Sequence, residues 1–298
     1  MLREVAFQES NMHPVFNPYR PSRVLCADNG VTPFDPVTHN REAFRAGAQR
    51  RTPHLPTIRL FGLDLVSDIP EHVIDQMLNA SQARVAFVNA HSVNVSRSDA
   101  NYRRALLTAH ILLPDGAGME IAAKTHGMQF MANLNGTDLG PELARALAAR
   151  GMSLFLLGAA PGVADRAGSK LQQIAPGLRI AGTRDGFDGL RDPQAAIDAI
   201  NASGADMVWM ATGVPHQDLW LAEHASALQP RYVMGVGALL DFLSGRVSRA
   251  PLWMRRARLE WLWRLALEPR RMFGRYVIGN VTFLVHTLAH RLRHGRSR

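Results

Sequence analysis

The sequence predicts an α/β fold: a largely parallel sheet covered by helices, followed by a basic helical C-terminal appendage. Three observations carry this. Short apolar runs, such as residues 84–89 (RVAFVN), 153–157 (SLFLL) and 207–211 (MVWMA), alternate with stretches of helical spacing, the order expected of parallel strands buried on both faces. Each run leaves into a turn rich in Gly, Pro, Asn or Asp. The charge, finally, is uneven: residues 246–298 hold 13 arginines, no lysine and two acids, Glu260 and Glu268. That segment carries +11 of a formal net charge of +9, leaving −2 for the preceding 245 residues.

In chain order, residues 1–56 are punctuated by Pro14, Pro18, Pro21, Pro33, Pro36, Pro53 and Pro56 and keep no apolar period, which predicts an irregular extension. Residues 57–66 alternate like strands around Gly62, and 70–80 have helical spacing. Strand 84–89 is followed by a helix over 98–109, strand 110–113 and a helix over 118–126. Thr137 reads as the N-cap of a helix reaching Arg150. Strand 153–157, helix 163–174, strand 178–182 and helix 193–203 come next. Strand 207–211, a helix ending by Leu228, strand 232–235 and a short helix over 236–244 complete an α/β catalytic domain spanning 57–245.

Bulk properties narrow the function. A 47% hydrophobic fraction excludes wholesale disorder, and the single cysteine, Cys26, excludes a disulfide framework or a multi-cysteine metal cage. Residues 1–10 have no apolar core of a secretory signal, so a cytoplasmic location is expected. The body is nearly neutral, unlike a nucleic-acid protein with basic residues spread over its surface.

In parallel sheets ligands gather at the carboxyl ends of the strands, here Asn89, Asp115, 158–162, 213–217 and 235–237. Asp115, in LLPDGAG between a strand and a helix, could act as a general base or simply form an Asx turn. Asn89 could bind a base or ribose, and His91 titrates in a useful range, but both residue types are ordinary turn formers. The loops GAAPG and GVPHQ offer backbone N–H groups to a diphosphate, yet neither matches a dinucleotide or P-loop fingerprint. Asp185 and Asp188, in RDGFDG, read as a turn. No metal motif is present, and neither metal nor cofactor is expected.

The appendage, residues 246–298, mixes arginine with Trp253, Trp261 and Trp263, a pairing suited to lipid headgroups. Its apolar run, 277–289, is shorter than the roughly 20 residues a spanning helix needs. It is expected to lie on an anionic membrane surface; a hairpin docked on the body, or a nucleic-acid patch, is the competing reading.

The ordered set VNAHSVN, LLPDGAG, NGTDL, FLLGAAPG, DGF, TGVPHQDLW, GVGALLDFLSG and RAPLWMRRARLEWLWRLALEPRR resembles the WecG/TagA/CpsF family of bacterial glycosyltransferases, in order from Ile58 to Tyr276. The resemblance implies a Rossmann-like inverting transferase. It would move a sugar from a UDP-sugar, of the UDP-glucose or UDP-N-acetylmannosamine type, to a polyprenyl-diphosphate-linked acceptor in surface or extracellular polysaccharide biosynthesis. It implies Asp115 as base, with Asn89 and Gln217 lining the donor pocket. Gly136 and Asp138 match a G-x-D element, and Gly158, Gly213 and Gly237 belong to the binding loops. The resemblance also implies appendage arginines near the diphosphate, with Arg249, Arg256, Arg264 and Arg270 as the candidates. The enzyme would work peripherally on the inner face of the plasma membrane, without nucleic acid, and a homo-oligomer is admitted.

The chain departs from the family pattern in four places. Phe87 replaces a common threonine, His216 and Asp218 replace lysine and glutamate around Gln217, and Arg258 stands where glycine is usual. A nucleotide-binding oxidoreductase and a basic nucleic-acid-binding protein are the alternative readings.

Overall fold

The computed structural model describes residues 53–294. The N-terminal extension lies outside the described residues except for 53–56, which form no regular element. Strands β1 (Thr57–Leu60) and β2 (Leu63–Val66) form an antiparallel hairpin turning at Phe61 and Gly62, both at positive φ. Helix α1 (Pro70–Asn79) follows, with proline in the first turn, where the missing N–H costs no hydrogen bond.

The main sheet has six strands: β3 (Ala83–Val88), β4 (Ile111–Pro114), β5 (Ser153–Gly158), β6 (Arg179–Arg184), β7 (Met207–Ala211) and β8 (Tyr232–Gly235). Their order is β4-β3-β8-β7-β5-β6, and every neighbouring pair is parallel. Between them run α2 (Ala90–Ser98), α3 (Ala100–Leu107), α4 (Ala117–Thr125), α5 (Gly136–Ala149), α6 (Val163–Ile174), α7 (Gly186–Arg191), α8 (Pro193–Ala202), α9 (His216–His224) and α10 (Leu239–Leu243). The α/β, Rossmann-like expectation holds.

Period-two alternation sends successive side chains to opposite faces. Val85, Phe87, Leu154, Leu156 and Trp209 enter one core with α1, α5 and α6. Ala86 and Val88 pack on the other face with Tyr102, Met119 and the hairpin residues Leu60 and Leu63. Phe155, Leu157 and Met210 pack on that face with Ile197, Ile200 and Trp220. Burial on both faces is why these strands read as unbroken apolar runs.

Several boundaries differ from expectation. The helix expected over 98–109 is α3, Ala100–Leu107, which starts later because Asp99 is extended and its carboxylate accepts from the Asn101 and Tyr102 N–H groups at 2.9 Å, and a further helix, α2, fills residues 90–98 ahead of it. His91 therefore sits in a helix, α2, not in a loop. The expected RDGFDG turn is a short helix, α7, opened by Asp185 accepting from Phe187 N–H. The α5 N-cap is Asn135, not Thr137: its Oδ1 accepts from Asp138 N–H at 2.9 Å. α10 starts at Leu239, because Val236 N–H still bonds back to the Met210 carbonyl at 2.8 Å.

The C-terminal segment forms α11 (Leu252–Arg256), α12 (Glu260–Leu267), α13 (Pro269–Phe273), a π-helical turn (Gly274–Ile278) and α14 (Gly279–His294). Residues 277–289 are not simply a surface run. Phe283 and Thr287 are each 1% exposed, and Phe283 enters the core that holds Phe61 and Met119. Asn94 donates to the Gly279 carbonyl at 2.7 Å, and His126 Nε2 meets His290 Nδ1 at 3.0 Å. One face of α14 thus belongs to the body, as the competing hairpin reading required. Val281, Leu284, Val285, Leu288 and Leu292 face outward. Among the described residues no helix is long and apolar enough to cross a membrane.

Candidate active site

Because the six strands are parallel, the exits of β3, β4, β5, β7 and β8 share one edge of the sheet. Asn89 and Asp115 leave neighbouring strands there. Asn89 caps α2, its Oδ1 accepting from Ser92 N–H at 3.1 Å, and its Nδ2 donates to Asp115 Oδ2 at 3.4 Å. Asp115 N–H extends the ladder to the Val88 carbonyl at 2.9 Å, which fixes where its side chain emerges.

Asp115 is half-buried at residue level, and desolvation raises its carboxyl above the usual range. The Asn89 hydrogen bond and the Arg275 guanidinium pull it down, while Glu260 and Asp138 push it up. Burial first, then Arg275, lowers the His91 pKa to about 4, so its ring is uncharged near neutrality.

The N-terminus of α5 forms the second wall. Asn135 Nδ2 donates to Asp138 Oδ2 at 2.7 Å. Pro141 lies inside α5 and has no N–H for the Thr137 carbonyl four residues earlier. Arg249 supplies a donor from outside the helix, its Nη1 reaching that carbonyl at 3.4 Å. Its Nη2 donates to Thr137 Oγ1 at 3.1 Å and to Asp138 Oδ1 at 2.6 Å, and its Nε to Glu260 Oε1 at 3.3 Å. Burial pushes Asp138 up, but the Asn135 and Arg249 hydrogen bonds outweigh it and hold the carboxyl below its ordinary value. Gly136 lies against Phe87: a Cβ there would stand 3.3 Å from the ring.

The glycine loops sit where expected. At Gly158, φ is +132° and an added Cβ would lie 2.6 Å from the Ala211 carbonyl carbon, so only glycine lets β5 and β7 end this close together. Gly213 and Gly237 both take positive φ as the chain leaves β7 and β8. Gln217, expected to line the pocket, is instead 1% exposed and braces those two exits. Its Oε1 accepts from Gly213 N–H at 3.2 Å and from Gly237 N–H at 2.9 Å.

The appendage arginines divide. Arg249 is built into the site. Arg264 is 8% exposed and stacks over Phe242 at 5.0 Å; it reaches Glu268 only at 3.6 Å, and its buried Nε and Nη1 have no hydrogen-bond partner among the described residues. Arg256 and Arg270 are exposed and not part of this cluster. Arg275, which acts on Asp115 and His91, was not among the candidates; it lies past the EP-x-R motif, in the π-helical turn. Glu260 and Asn135 were also missed, although both lie inside the quoted motifs. Arg258 has φ +63°, the left-handed region where glycine is least strained, and ion-pairs with Glu120 at 2.8 Å.

A carboxylate and an amide thus meet at adjacent strand exits, with the Arg275 guanidinium acting on the carboxylate. An α/β fold with such a polar cluster at its strand exits fits an enzyme of anionic substrates. The chain belongs to the WecG/TagA/CpsF glycosyltransferase family, whose model matches residues 58–297. It is an enzyme of the glycosyltransferase class, which replaces the oxidoreductase and the non-enzymatic readings. A curated relative is the N-acetylglucosaminyldiphosphoundecaprenol N-acetyl-beta-D-mannosaminyltransferase of Bacillus subtilis (strain 168), 30% identical over 224 residues, covering 75% of this chain and 86% of the relative. The protein of the same name from Bacillus spizizenii is 32% identical over 170 residues, covering 57% of this chain and 65% of that protein.

Proposed function

We propose that the enzyme transfers a hexosyl or N-acetylhexosaminyl group from a UDP-sugar to a polyprenyl-diphosphate-linked acceptor, inverting the anomeric configuration in one displacement. The relatives' names, which specify an N-acetylmannosaminyl group and an N-acetylglucosaminyl-diphosphoundecaprenol acceptor, support the N-acetylhexosaminyl case. In this reading an acceptor hydroxyl attacks the anomeric carbon opposite the UDP. Its proton passes to the Asp115 carboxylate as the new glycosidic bond forms, and the bond to UDP breaks.

The observation that carries this is the Asp115–Asn89 pair beside Arg275. A carboxyl raised by burial is a stronger base than a solvated one, provided it is still ionised at the working pH. Asn89 donates to one carboxylate oxygen and so orients the other. Among the described residues no group of three or more potential ligands could hold a metal; the developing charge on UDP is met in this reading by guanidinium groups and backbone N–H donors. Arg264 and Arg275 each bury an N–H that lacks an acceptor among the described residues, an expensive arrangement that a diphosphate would relieve.

Residues 57–245 form the donor-binding body in this proposal, and 246–298 an appendage that meets the membrane from the cytoplasmic side. Val285, Leu288 and Leu292 are 62%, 57% and 69% exposed on one side of α14, and Trp253 is 65% exposed on α11. With the arginines around them they suit an anionic headgroup layer. Since the opposite side of α14 is anchored in the body, the membrane would meet a rigid face at a set distance from Asp115. Turnover of Asp115→Asn with lipid-linked acceptor in vesicles tests the assignment: loss of about 10²–10⁴-fold with donor binding retained is expected, and near-normal turnover would overturn it.

A further inference from the structure

The fold buries a carboxylate that the proposed chemistry does not use. Asp218, on α9, is 2% exposed. Its Oδ2 accepts from the Tyr102 hydroxyl at 3.2 Å. Arg84, 4% exposed on β3, acts on it through charge while donating to the Ala105 carbonyl at 2.9 Å and Thr108 Oγ1 at 2.6 Å. On the other side stands Gln217, whose oxygen holds the N–H groups of both Gly213 and Gly237.

The amide nitrogen of Gln217 and Oδ1 of Asp218 press together on Gly235, where an added Cβ would lie 2.7 Å from the one and 2.8 Å from the other. Orientation is therefore decisive. With its oxygen towards the two backbone N–H groups, the Gln217 amide turns its NH₂ towards Asp218; the buried Oδ1 there has no hydrogen-bond partner among the described residues, and Gln217 acts on the carboxylate by favouring its charged form. Flipped, it would set donors against the Gly213 and Gly237 donors and its oxygen against a carboxylate.

We propose that Asp218 is a positioning residue that holds the Gln217 amide in the orientation tying the exits of β7 and β8 together, and so keeps the donor site in shape. This rests on the donor site proposed above. Burial raises the Asp218 carboxyl to about 7, against the pull of Tyr102, Arg84 and Gln217, so the carboxylate is held at an energetic cost that an apolar residue would avoid. The amide clasp gives that cost a structural purpose.

Hydrogen exchange at the Gly213 and Gly237 amides, UDP binding by calorimetry, and thermal unfolding test the idea in full-length protein. Asp218→Ala should accelerate exchange at these two amides and weaken UDP binding, each by about tenfold, the effect of losing one buried polar contact. Asp218→Asn should restore most of both, because asparagine can offer its oxygen to the amide and its NH₂ to the Tyr102 hydroxyl. Unchanged exchange in Asp218→Ala, or acceleration spread evenly over the chain with an equal loss in Asp218→Asn, would overturn the proposal. If Asp218→Ala does not fold, Gln217→Met removes the clasp alone, and exchange at both amides must rise more in it than in Asp218→Asn. Absence of UDP binding by the wild-type protein would sink the donor reading instead, while exchange still decides the role of Asp218.

Discussion

At Asp115 burial drives the carboxyl upward, and Asn89 and Arg275 draw it back. If this group takes the acceptor's proton, it must be ionised. Activity should then fall as pH drops through a pKa above the ordinary carboxylate range, and be complete above it. Arg275→Gln removes the cation that favours ionisation, so the acid limb of kcat/KM against pH should move to higher pH; a limb that stays in place would remove Arg275 from the site. A second prediction concerns packing. Gly158→Ala would bring a Cβ to 2.6 Å from the Ala211 backbone at φ +132°. We expect a loss of about 2–4 kcal/mol in urea unfolding, and an unaltered midpoint would contradict the close approach. Asp115 and Asn89 could be picked out as strand-exit residues because each follows an apolar run directly. Arg275 could not, since nothing in its neighbours separates it from twelve other arginines in the appendage.

Among the elements, α14 is apolar on two sides, and the two sides do different things. Phe283 anchors it beside Phe61, with ring centroids 5.6 Å apart, and His126, His286 and His290 gather around the same ring. Phe283→Ala should cost about 3–5 kcal/mol if α14 unfolds with the body, measured as the shift of a single unfolding transition. Leu288→Asp, on the outward side, should leave that transition within about 0.5 kcal/mol and reduce binding to anionic vesicles in a sedimentation assay. Equal binding by the variant would show that the membrane is met elsewhere. Sequence reading treated residues 277–289 as one apolar run, because a helix anchored on one side and exposed on the other has the same composition as one lying wholly on lipid. The Thr137 boundary slipped for a related reason. Thr137 and Asn135 are both good caps, and the choice of Asn135 is made by its bonds to Asp138.

Taken as a whole, the enzyme separates a nearly neutral body from a strongly basic appendage and joins the two through Arg249, bound to the N-terminus of α5 and to Glu260. Attraction of the appendage to anionic lipid should weaken as salt rises, since the Debye length is about 10 Å at 0.1 M and roughly 3 Å at 1 M. Insertion of the apolar face of α14 should weaken far less. Vesicle binding measured across that range should fall to a plateau above zero; a fall to nothing would mean that charge alone holds the protein.

The fold class, the strand exits and the sign of the appendage were determined by the sequence itself, because each is written in a local pattern: buried runs, turn residues and a block of arginine. The strand order, the pairing of Arg249 with Asp138, the action of Arg275 on Asp115 and the Gln217 clasp between β7 and β8 were decided only by tertiary structure. The appendage motif expected near the diphosphate was apparent as a motif, but which of its arginines enter the site was not. Contacts between residues more than a hundred positions apart, such as Arg249 with Asp138, depend on how helices pack across the sheet, and no neighbouring residue encodes them. The basic segment first met as a charge block is therefore also a structural element: it packs through Phe283, is tied to α5 by Arg249 and brings the charge of Arg275 to act on Asp115.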